Sequence, residues 1–462
     1  MRGAQANRPW YNWRRLVSRI RPQLRHPAQM VVTAFAAAIA IGTLLLSLPV
    51  ARAGDGSATF LEAWFTATSA VCVTGLVVVD TGEYWSGFGE AVIISLIQVG
   101  GFGLMTGATL LVLVVTRRLR LRSRLHVATE VKALGLGDVR SVVLGVAAFT
   151  AVFEAATALV LTARLAIGHG EPFGRALWLG IFHAVSAFNN AGFDLFGNSL
   201  IGFSTDPWIV LPIALAFICG GLGFPVLMEL RRQARKVNRW SLHTKLTVTV
   251  SAVLLVGGTL FVLGSEWRNP ATLASMSLPD KLLNAFFTSA TTRTAGFNTL
   301  DTEALTHGTW LGATVLMFIG GGSASTAGGI KVTTFALLLF VVMAEIRGQR
   351  HVAVFDRQVS SRVQRQALTV ALLGLAAVVT AALILTETTD HSLDRILFEV
   401  VSAFGTVGLS TGITTELTAA GEVVIILLMF VGRLGPITFA SALALRQRDR
   451  LYELPEGRPI IG

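Results

Sequence analysis

The sequence predicts an all-α membrane protein in which eight transmembrane helices form four repeats around one pseudo-fourfold pore. Two observations support this prediction. The chain of 462 residues is 53% hydrophobic and only 14% charged, which is too little charge for a soluble protein of this size. One spaced pattern of residues also occurs four times, and it ends at Gly75, Gly192, Gly296 and Gly408.

In each copy of the pattern a Phe lies ten residues before the glycine and a small residue lies six before it. The four pairs are Phe65 and Ser69, Phe182 and Ser186, Phe286 and Ala290, and Phe398 and Ser402. Positions i and i+4 share one face of a helix, so each copy predicts a short helix that stops ahead of a glycine turn. Four such units predict four glycines around one axis, and in a membrane that arrangement is a pore.

Apolar runs flank each copy of the pattern and predict two membrane spans per repeat, since each is about long enough to cross roughly 30 Å of hydrocarbon. The runs are Met30–Val50, Ala91–Val115, Val142–Ala166, Trp208–Met228, Leu246–Leu263, Trp310–Ala344, Ala367–Leu385 and Val423–Leu445. The resulting division is an N-terminal arm at 1–26, repeats at 27–116, 139–230, 243–346 and 364–446, an intramembrane loop at 319–331 within the third repeat, and a tail at 447–462.

The net charge of +11 is distributed as in a multi-pass membrane protein. Basic clusters such as Arg231–Arg239 follow the even-numbered spans or lie near the termini, which predicts that both termini are cytoplasmic. The outer connections contain acids that either steer cations or are ordinary solvated groups, among them Asp80, Asp194 and Asp301. This placement argues against nucleic acid as a partner.

Enzyme signatures are missing from the sequence. The two cysteines form no CxxC motif, and there is no P-loop, no HExxH and no GxGxxG after a strand. The apolar spans offer no paired acids or Ser/His pair for an intramembrane enzyme. The chain is therefore expected to be neither an enzyme nor the holder of a cofactor.

The sixth apolar run contains a glycine cluster that predicts a break in its helix. Five glycines fall within ten residues, namely Gly320, Gly321, Gly322, Gly328 and Gly329. Each costs about 1 kcal/mol relative to Ala inside a helix. Ser323, Ser325 and Thr326 are available to bond the freed backbone groups. The alternative is close helix packing, although packing motifs space their glycines as GxxxG.

Arg433 lies within the otherwise apolar eighth run. A mid-membrane arginine is costly and normally faces the bundle interior or a cavity. The alternative is a snorkelling side chain near a membrane end. The backbone carbonyls freed by the glycine cluster are the best acceptors that the sequence offers to this guanidinium.

Together these features resemble the superfamily of potassium transporters that includes KtrB, TrkH and plant HKT proteins. The resemblance covers nearly the whole chain and rests on Thr66–Leu76, Ser186–Phe193, Thr291–Thr299, Ser402–Ser410, Gly320–Lys331 and Arg433. Eight spans with the first glycine motif as early as Gly75 look most like KtrB, the membrane subunit of a Ktr potassium uptake system. A TrkH-type or sodium-conducting relative is the alternative.

The resemblance implies potassium uptake across the cytoplasmic membrane by a homodimer with one pore per subunit and a cytoplasmic ring of KtrA-like nucleotide-binding subunits. Membrane lipid is the remaining expected partner, and activation by Na⁺ stays open. The resemblance also implies a gate formed by Gly320, Gly321, Gly322, Ser323, Ser325, Thr326, Gly328, Gly329 and Lys331, with Arg433 as its partner.

A dehydrated potassium ion needs oxygens in place of its water shell, and backbone carbonyls supply them in known filters. Glycine permits the positive φ that turns a carbonyl inward. Filter roles are therefore assigned to Val73, Thr74, Gly75, Asn190, Ala191, Gly192, Thr294, Ala295, Gly296, Thr406, Val407 and Gly408. One glycine per repeat predicts less strict selectivity than a TVGYG filter gives. A Ser at the first glycine goes with sodium transport in plant relatives, so Gly75 favours potassium.

Three further polar residues lie within or beside the apolar regions. The resemblance suggests that Arg293 is tied to carbonyls behind the filter. Glu154 is open between a functional role and a buried hydrogen-bonded or dimer-interface group. His183 is expected to be a satisfied core histidine rather than a ligand.

Overall fold

The structure is a computed structural model that describes residues 27–118, 139–355 and 357–435. The predicted N-terminal arm, the C-terminal tail and most of the basic segment from Arg117 to Arg124 lie outside these ranges. The helices, numbered in chain order, are α1 (Pro27–Leu46), α2 (Phe60–Cys72), α3 (Thr81–Tyr84), α4 (Gly87–Arg118), α5 (Val139–Gly168), α6 (Phe173–Phe188), α7 (Pro207–Leu222), α8 (Phe224–Gln233), α9 (Leu242–Glu266), α10 (Leu278–Thr291), α11 (His307–Phe318), α12 (Val332–Ile346), α13 (Ser361–Thr388), α14 (Leu393–Gly405) and α15 (Ala419–Leu434). A two-stranded hairpin, β1 (Ala353–Val354) and β2 (Arg357–Gln358), joins α12 to α13.

Long apolar helices dominate the described part of the chain. Within it, five single helices are long and apolar enough to cross a membrane, namely α1, α4, α5, α9 and α13. The bent pair α7 and α8 passes the same test when it is taken as one span. The chain is therefore a helical protein with several candidate membrane spans.

The apolar run Trp208–Met228, predicted as one membrane span, is not one continuous helix, because the helix breaks at Gly223. The axes of α7 and α8 differ by 101°. Gly223 has a φ of +92°, and a β-carbon there would lie 2.8 Å from the carbonyl oxygen of Ser323, so no side chain fits. Pro225 follows in the first turn of α8, where its missing N–H costs nothing. A single glycine next to an N-terminal proline was enough to end the helix.

The sixth apolar run is broken, as its glycine cluster predicts. A loop from Ile319 to Lys331 separates α11 from α12. Its backbone groups have partners inside the protein, since Gly320 N donates to Ile330 O at 2.8 Å and Gly322 N donates to Gly221 O at 2.8 Å. Irregular backbone is tolerated at membrane depth only when it is satisfied in this way.

Four short helices, α2, α6, α10 and α14, each end a few residues before one of the four pattern glycines. The first begins with a capping box, in which Thr59 Oγ1 accepts from Glu62 N and Glu62 accepts from Thr59 N at 2.7 Å. Phe65, Phe182 and Phe398 of the pattern are fully buried. The pattern therefore marks the inward face of these short helices.

The packing order of the helices closes into a ring. Each short helix packs against the long helix before it, and α2, α6 and α14 also pack against α4, α7 and α15, respectively. In addition, α4 packs on α6, α7 on α10, α11 on α14 and α15 on α2. The last contact joins the end of the described chain to its beginning, so the four loops that follow the short helices are directed to a common centre.

Candidate ion pathway

The four glycine loops meet in a closed ring that follows chain order. A β-carbon built on Gly192 would lie 2.8 Å from Ala295 O, and one built on Gly296 would lie 2.5 Å from Val407 O. The corresponding atom on Gly75 would overlap Ala191 O, and the one on Gly408 would overlap Thr74 O. Each glycine thus faces the carbonyl oxygen just before the next glycine, and no other residue fits at these four positions.

All four glycines have positive φ, between +70° and +94°. The sequence did not predict a second left-handed residue in each loop, two positions before the glycine. These residues are Val73 (φ 55°), Asn190 (φ 60°), Thr294 (φ 78°) and Thr406 (φ 49°). Such a conformation costs about 1–3 kcal/mol for a residue with a side chain and persists only where the surroundings fix it. The strain is repeated four times at one centre, which is typical of a functional site.

Hydroxyl groups near the ends of the short helices brace the loops in two ways, one in the first and fourth loops and the other in the second and third. Ser69 Oγ accepts from Gly75 N at 3.1 Å, and Ser402 Oγ accepts from Gly408 N at 3.1 Å. In the second and third loops the hydroxyl instead donates to the carbonyl after the glycine. Ser186 Oγ donates to Phe193 O at 2.7 Å and Thr291 Oγ1 donates to Phe297 O at 2.6 Å.

The third copy of the pattern is one residue out of register with the prediction. Phe287, rather than Phe286, is fully buried, and Thr291, rather than Ala290, braces the loop. The spacing from brace to glycine is therefore five residues in this copy and six in the others. Adjacent phenylalanines and adjacent small residues fit both registers, so the sequence alone did not separate them.

The intramembrane loop lies directly against the glycine loops. Thr326 Oγ1 donates to Asn190 Oδ1 at 2.8 Å, and Asn190 Nδ2 lies 3.5 Å from Thr294 Oγ1. A β-carbon on Gly328 would overlap the Thr406 side chain, and one on Gly329 would lie 3.1 Å from Gly405 Cα. The intramembrane loop therefore contacts the second and fourth glycine loops, and Asn190 links it to the third.

Arg433 is buried and bonds the intramembrane loop. Its Nη1 donates to Thr326 O, the type of acceptor that the sequence predicts, and its Nη2 donates to Gly100 O on α4 at 3.1 Å. The second acceptor was not foreseen. Lys331 Nζ donates to the carbonyls of Ala327 and Gly328, the latter at 3.3 Å. Two cationic side chains thus hold carbonyls of one loop.

The loop's hydroxyl residues stabilise its own shape. Ser325 Oγ donates to Gly322 O at 2.6 Å, and Ser323 Oγ lies 2.9 Å from Thr333 Oγ1. Gly320 and Gly321 lie where the two ends of the loop come together, since Val332 N donates to Gly321 O at 3.0 Å. The predicted gate residues therefore form one connected structure.

Two acids, the half-buried Glu154 and the fully buried Glu399, support the loops from behind. Glu154 on α5 accepts from Asn189 Nδ2 at 3.0 Å and from Gln98 Nε2 at 3.3 Å, so it is a hydrogen-bonded group between helices. Glu399 on α14 was missed by the sequence analysis. It is fully buried and accepts from Ser410 Oγ at 2.9 Å and from Thr414 Oγ1. Its position next to the pattern residue Phe398 was the available signal.

His183 and Arg293 have structural contacts. The two ring nitrogens of His183 lie 2.7 Å from Leu179 O and 3.3 Å from Leu195 N, so this histidine is satisfied within the core. Arg293 Nη1 donates to Ser251 O at 3.1 Å, a carbonyl behind the third loop.

The acids that follow the first two loops shape the outer connections. Asp194 accepts from Phe196 N at 3.0 Å and from Ser199 N at 3.2 Å. Burial, with repulsion from Asp80, raises the pKa of Asp194 to about 6. Asp80 caps α3 by accepting from Gly82 N and Glu83 N, whereas Asp301 is exposed. The charge of Asp194 therefore changes near pH 6.

The donor set is one of backbone carbonyls, hydroxyls and amides. In the ranges that the structure describes, no group of three His, Cys, Asp or Glu side chains is placed to hold a metal ion. The Oγ1 atoms of Thr74 and Thr406 are buried without a hydrogen-bond partner among the described residues. Both hydroxyl oxygens are therefore free to bond a further group at the ring.

Comparison with known proteins gives one consistent result. The family model described as "TrkH: Cation transport protein" matches residues 6–452. The chain is 41% identical over 436 residues to Ktr system potassium uptake protein B of Bacillus subtilis, covering 94% of this chain and 97% of that protein. It is 36% identical over 450 residues to potassium/sodium uptake protein NtpJ of Enterococcus hirae, covering 96% and 99%. The solved structure of the potassium transporter TrkH from Vibrio parahaemolyticus matches with a TM-score of 0.70 and 17% identity, over 92% of this chain and 86% of that one.

Proposed function

Because this chain belongs to the TrkH family of cation transport proteins, we propose that it takes up potassium across the cytoplasmic membrane through the ring of glycine loops. The observation that carries the proposal is the closure of that ring, in which each glycine faces the carbonyl before the next one. The relatives named as potassium uptake proteins support potassium as the cargo.

In this proposal the four loops are the selectivity filter of a pseudo-fourfold pore built from four repeats and eight spans. In each loop the pattern glycine and the residue two positions before it have left-handed φ values. This conformation turns the backbone away from an extended strand, so that several carbonyl oxygens of the loop replace the water shell of the ion. The unpartnered hydroxyls of Thr74 and Thr406 add neutral oxygens. The short helices end at the loops, so the negative ends of their dipoles favour a cation there.

The intramembrane loop is the gate in this mechanism. It lies against the filter loops through Thr326 and Gly328, and Arg433 and Lys331 hold its carbonyls in place. Opening requires these contacts to break, since the loop otherwise occupies the space next to the filter. The membrane potential supplies the driving force, worth about 2.3 kcal/mol per charge per 100 mV.

The same proposal assigns the remaining features. The membrane subunit works as a homodimer, and a cytoplasmic ring of KtrA-like nucleotide-binding subunits acts on the gate. Both termini and the basic connections are cytoplasmic, in accordance with the positive-inside rule. The Ktr-system name of a relative that matches almost the whole chain supports a partnership with a regulatory subunit.

A second candidate cargo is sodium, because the NtpJ relative is named a potassium/sodium uptake protein. One measurement distinguishes a potassium-selective protein from one that transports both potassium and sodium. Potassium uptake into proteoliposomes at a fixed K⁺ concentration is followed while the Na⁺ concentration is raised. Weak inhibition supports a potassium filter, and inhibition at equal concentrations of the two ions supports joint transport.

The proposal is tested by comparing Gly296→Ala with Gly308→Ala. A β-carbon on Gly296 would lie 2.5 Å from Val407 O and on a backbone with φ of +81°, whereas one on Gly308 would meet nothing closer than 4.0 Å. The variants are expressed in a bacterium that lacks its own potassium uptake systems. The unaltered chain and Gly308→Ala should support growth on low potassium, and Gly296→Ala should not. Full growth with Gly296→Ala present in the membrane would refute the filter assignment.

A further inference from the structure

A cavity of about 190 Å³ lies behind the third glycine loop, outside the proposed ion path. It is bounded by Phe217 and Leu222 of α7, by Ala252 and Leu255 of α9, and by Gly321 of the intramembrane loop. Ala252 is exposed on the outer surface of the helix bundle, so the cavity reaches the membrane face of the protein. Its walls are mostly apolar, and it therefore opens toward lipid rather than toward water.

Arg293 is the one charged residue that borders this cavity. Its Nη1 donates to Ser251 O at 3.1 Å, while its Nε has no acceptor among the described residues. No carboxylate in the described ranges pairs with it. A cation in such surroundings is costly unless an anion or several acceptors compensate it. The third glycine loop, in its proposed role as part of the filter, does not compensate the charge of Arg293.

The depth of Arg293 restricts which anion can reach it. Ser251 is the tenth of the 25 residues of α9, which places it about 14 Å along the helix at 1.5 Å per residue. The guanidinium is therefore near the middle of a hydrocarbon layer roughly 30 Å thick. A phospholipid phosphate stays at the boundary of that layer, about 15 Å from its centre. A single-chain acid enters the hydrocarbon in its protonated, uncharged form, and the guanidinium stabilises the carboxylate that remains once the proton has left to water.

We propose that this cavity binds a long-chain carboxylic acid, with the carboxylate on Arg293 and the adjoining methylenes between α7 and α9. The volume suffices for the carboxylate and the first part of the chain, since an apolar cavity of about 150 Å³ already binds benzene. The rest of the chain lies along the membrane face beside Ala252. Water is a poor occupant, because a buried water needs two to four polar partners and the walls offer few. Because Gly321 borders the cavity, the ligand also contacts the intramembrane loop.

The test uses a photoreactive palmitate analogue with a diazirine on its chain, added to the purified full-length protein in neutral-lipid nanodiscs. Labelled peptides are identified by mass spectrometry. Label is expected on the peptide that contains Ala252. The corresponding alcohol, which has the same chain and no charge, should label this peptide about tenfold less, because hydrogen bonds to a charged group are worth one to two factors of ten in affinity.

Two matched variants on one helix test the location. Ala252→Trp fills the mouth of the cavity, and Val253→Trp places the same side chain on the neighbouring exposed position that does not border it. Labelling should fall at least fivefold in the first variant and stay unchanged in the second. Arg293→Gln should lower labelling and Arg293→Lys should restore part of it.

Equal labelling by acid and alcohol would overturn the role of Arg293, and unchanged labelling of Ala252→Trp would overturn the site. Loss in both tryptophan variants would also count against it, as a general disturbance of α9. The readout is binding rather than ion flux. A failure of this proposal is therefore distinguishable from a failure of the transport proposal.

Discussion

Replacing Gly75 by serine is the sharpest test of the filter geometry. Gly75 has a φ of +90°, and a β-carbon on it would lie closer to Ala191 O than the 3.0 Å that β-carbons of real residues keep. That atom would also lie 3.1 Å from Gly192 Cα. Both neighbours are backbone atoms, which cannot avoid the contact by changing rotamer. The first and second loops must therefore move apart by several tenths of an ångström.

The size of the effect follows from the backbone conformation. A residue with a side chain pays about 1–2 kcal/mol for the left-handed region, and this strain falls on the ring geometry that binds a dehydrated ion. Since about 1.4 kcal/mol corresponds to a factor of ten, Gly75→Ser should raise the half-saturating potassium concentration about 5- to 30-fold. A wider ring also binds the ion less completely, so sodium should become an effective competitor.

The measurement is initial potassium uptake into potassium-depleted cells over a range of K⁺ and Na⁺ concentrations, normalised to folded protein in the membrane. Gly87→Ser is the control, because a β-carbon on Gly87 meets nothing within 4 Å. Unaltered half-saturation and unaltered sodium competition in Gly75→Ser, with Gly87→Ser also unaltered, would refute the assignment of this loop to the filter.

Three further predictions concern the gate and the outer connection. Arg433→Ala and deletion of Gly321–Gly328 should each raise basal potassium flux, and the double variant should show no further increase because both changes break one contact. Additive effects would show that Arg433 and the loop act independently. Thr326→Val should raise basal flux without affecting folding, whereas Thr314→Val, whose hydroxyl bonds only its own helix at Trp310 O, should not. Asp194 is neutral below its raised pKa of about 6 and charged above it, so potassium uptake at low potassium should fall as external pH drops through 6. Asp194→Asn should abolish this pH dependence. A pH dependence that persists in Asp194→Asn would show that another group causes it.

Spacing and glycine content made much of the architecture predictable. The four short helices, the positive φ of the pattern glycines and the break at 319–331 all follow from residues that tolerate few other conformations. The left-handed conformation of Val73, Thr294 and Thr406 did not follow, because β-branched residues normally avoid it, whereas Asn190 is of a type that adopts it more often. Hydroxyl braces such as Ser69 Oγ on Gly75 N hold these loops, and the sequence alone does not state which hydroxyl reaches which backbone group.

The break at Gly223 has a similar origin. Gly220, Gly221 and Pro225 nearby were local signals of a break, and glycine is required at 223 both by its φ of +92° and by Ser323 O, which lies against it. The contact partner is a hundred residues away in the sequence. The break and the intramembrane loop are thus mutually dependent, since each occupies space that the other leaves. The pattern within one segment of the sequence does not show that a distant segment will pack against it.

A chain of hydrogen bonds makes Thr326 the residue at which the proposed gate and the proposed filter meet. Arg433 bonds its carbonyl, and its hydroxyl donates to Asn190, a left-handed residue of the second filter loop. Asn190 in turn lies 3.5 Å from Thr294 Oγ1 in the third loop. Movement of the gate therefore removes a support from two strained filter residues, so Thr326→Val should alter sodium competition as well as basal flux. A variant that raises flux with unchanged selectivity would show that gate and filter act independently.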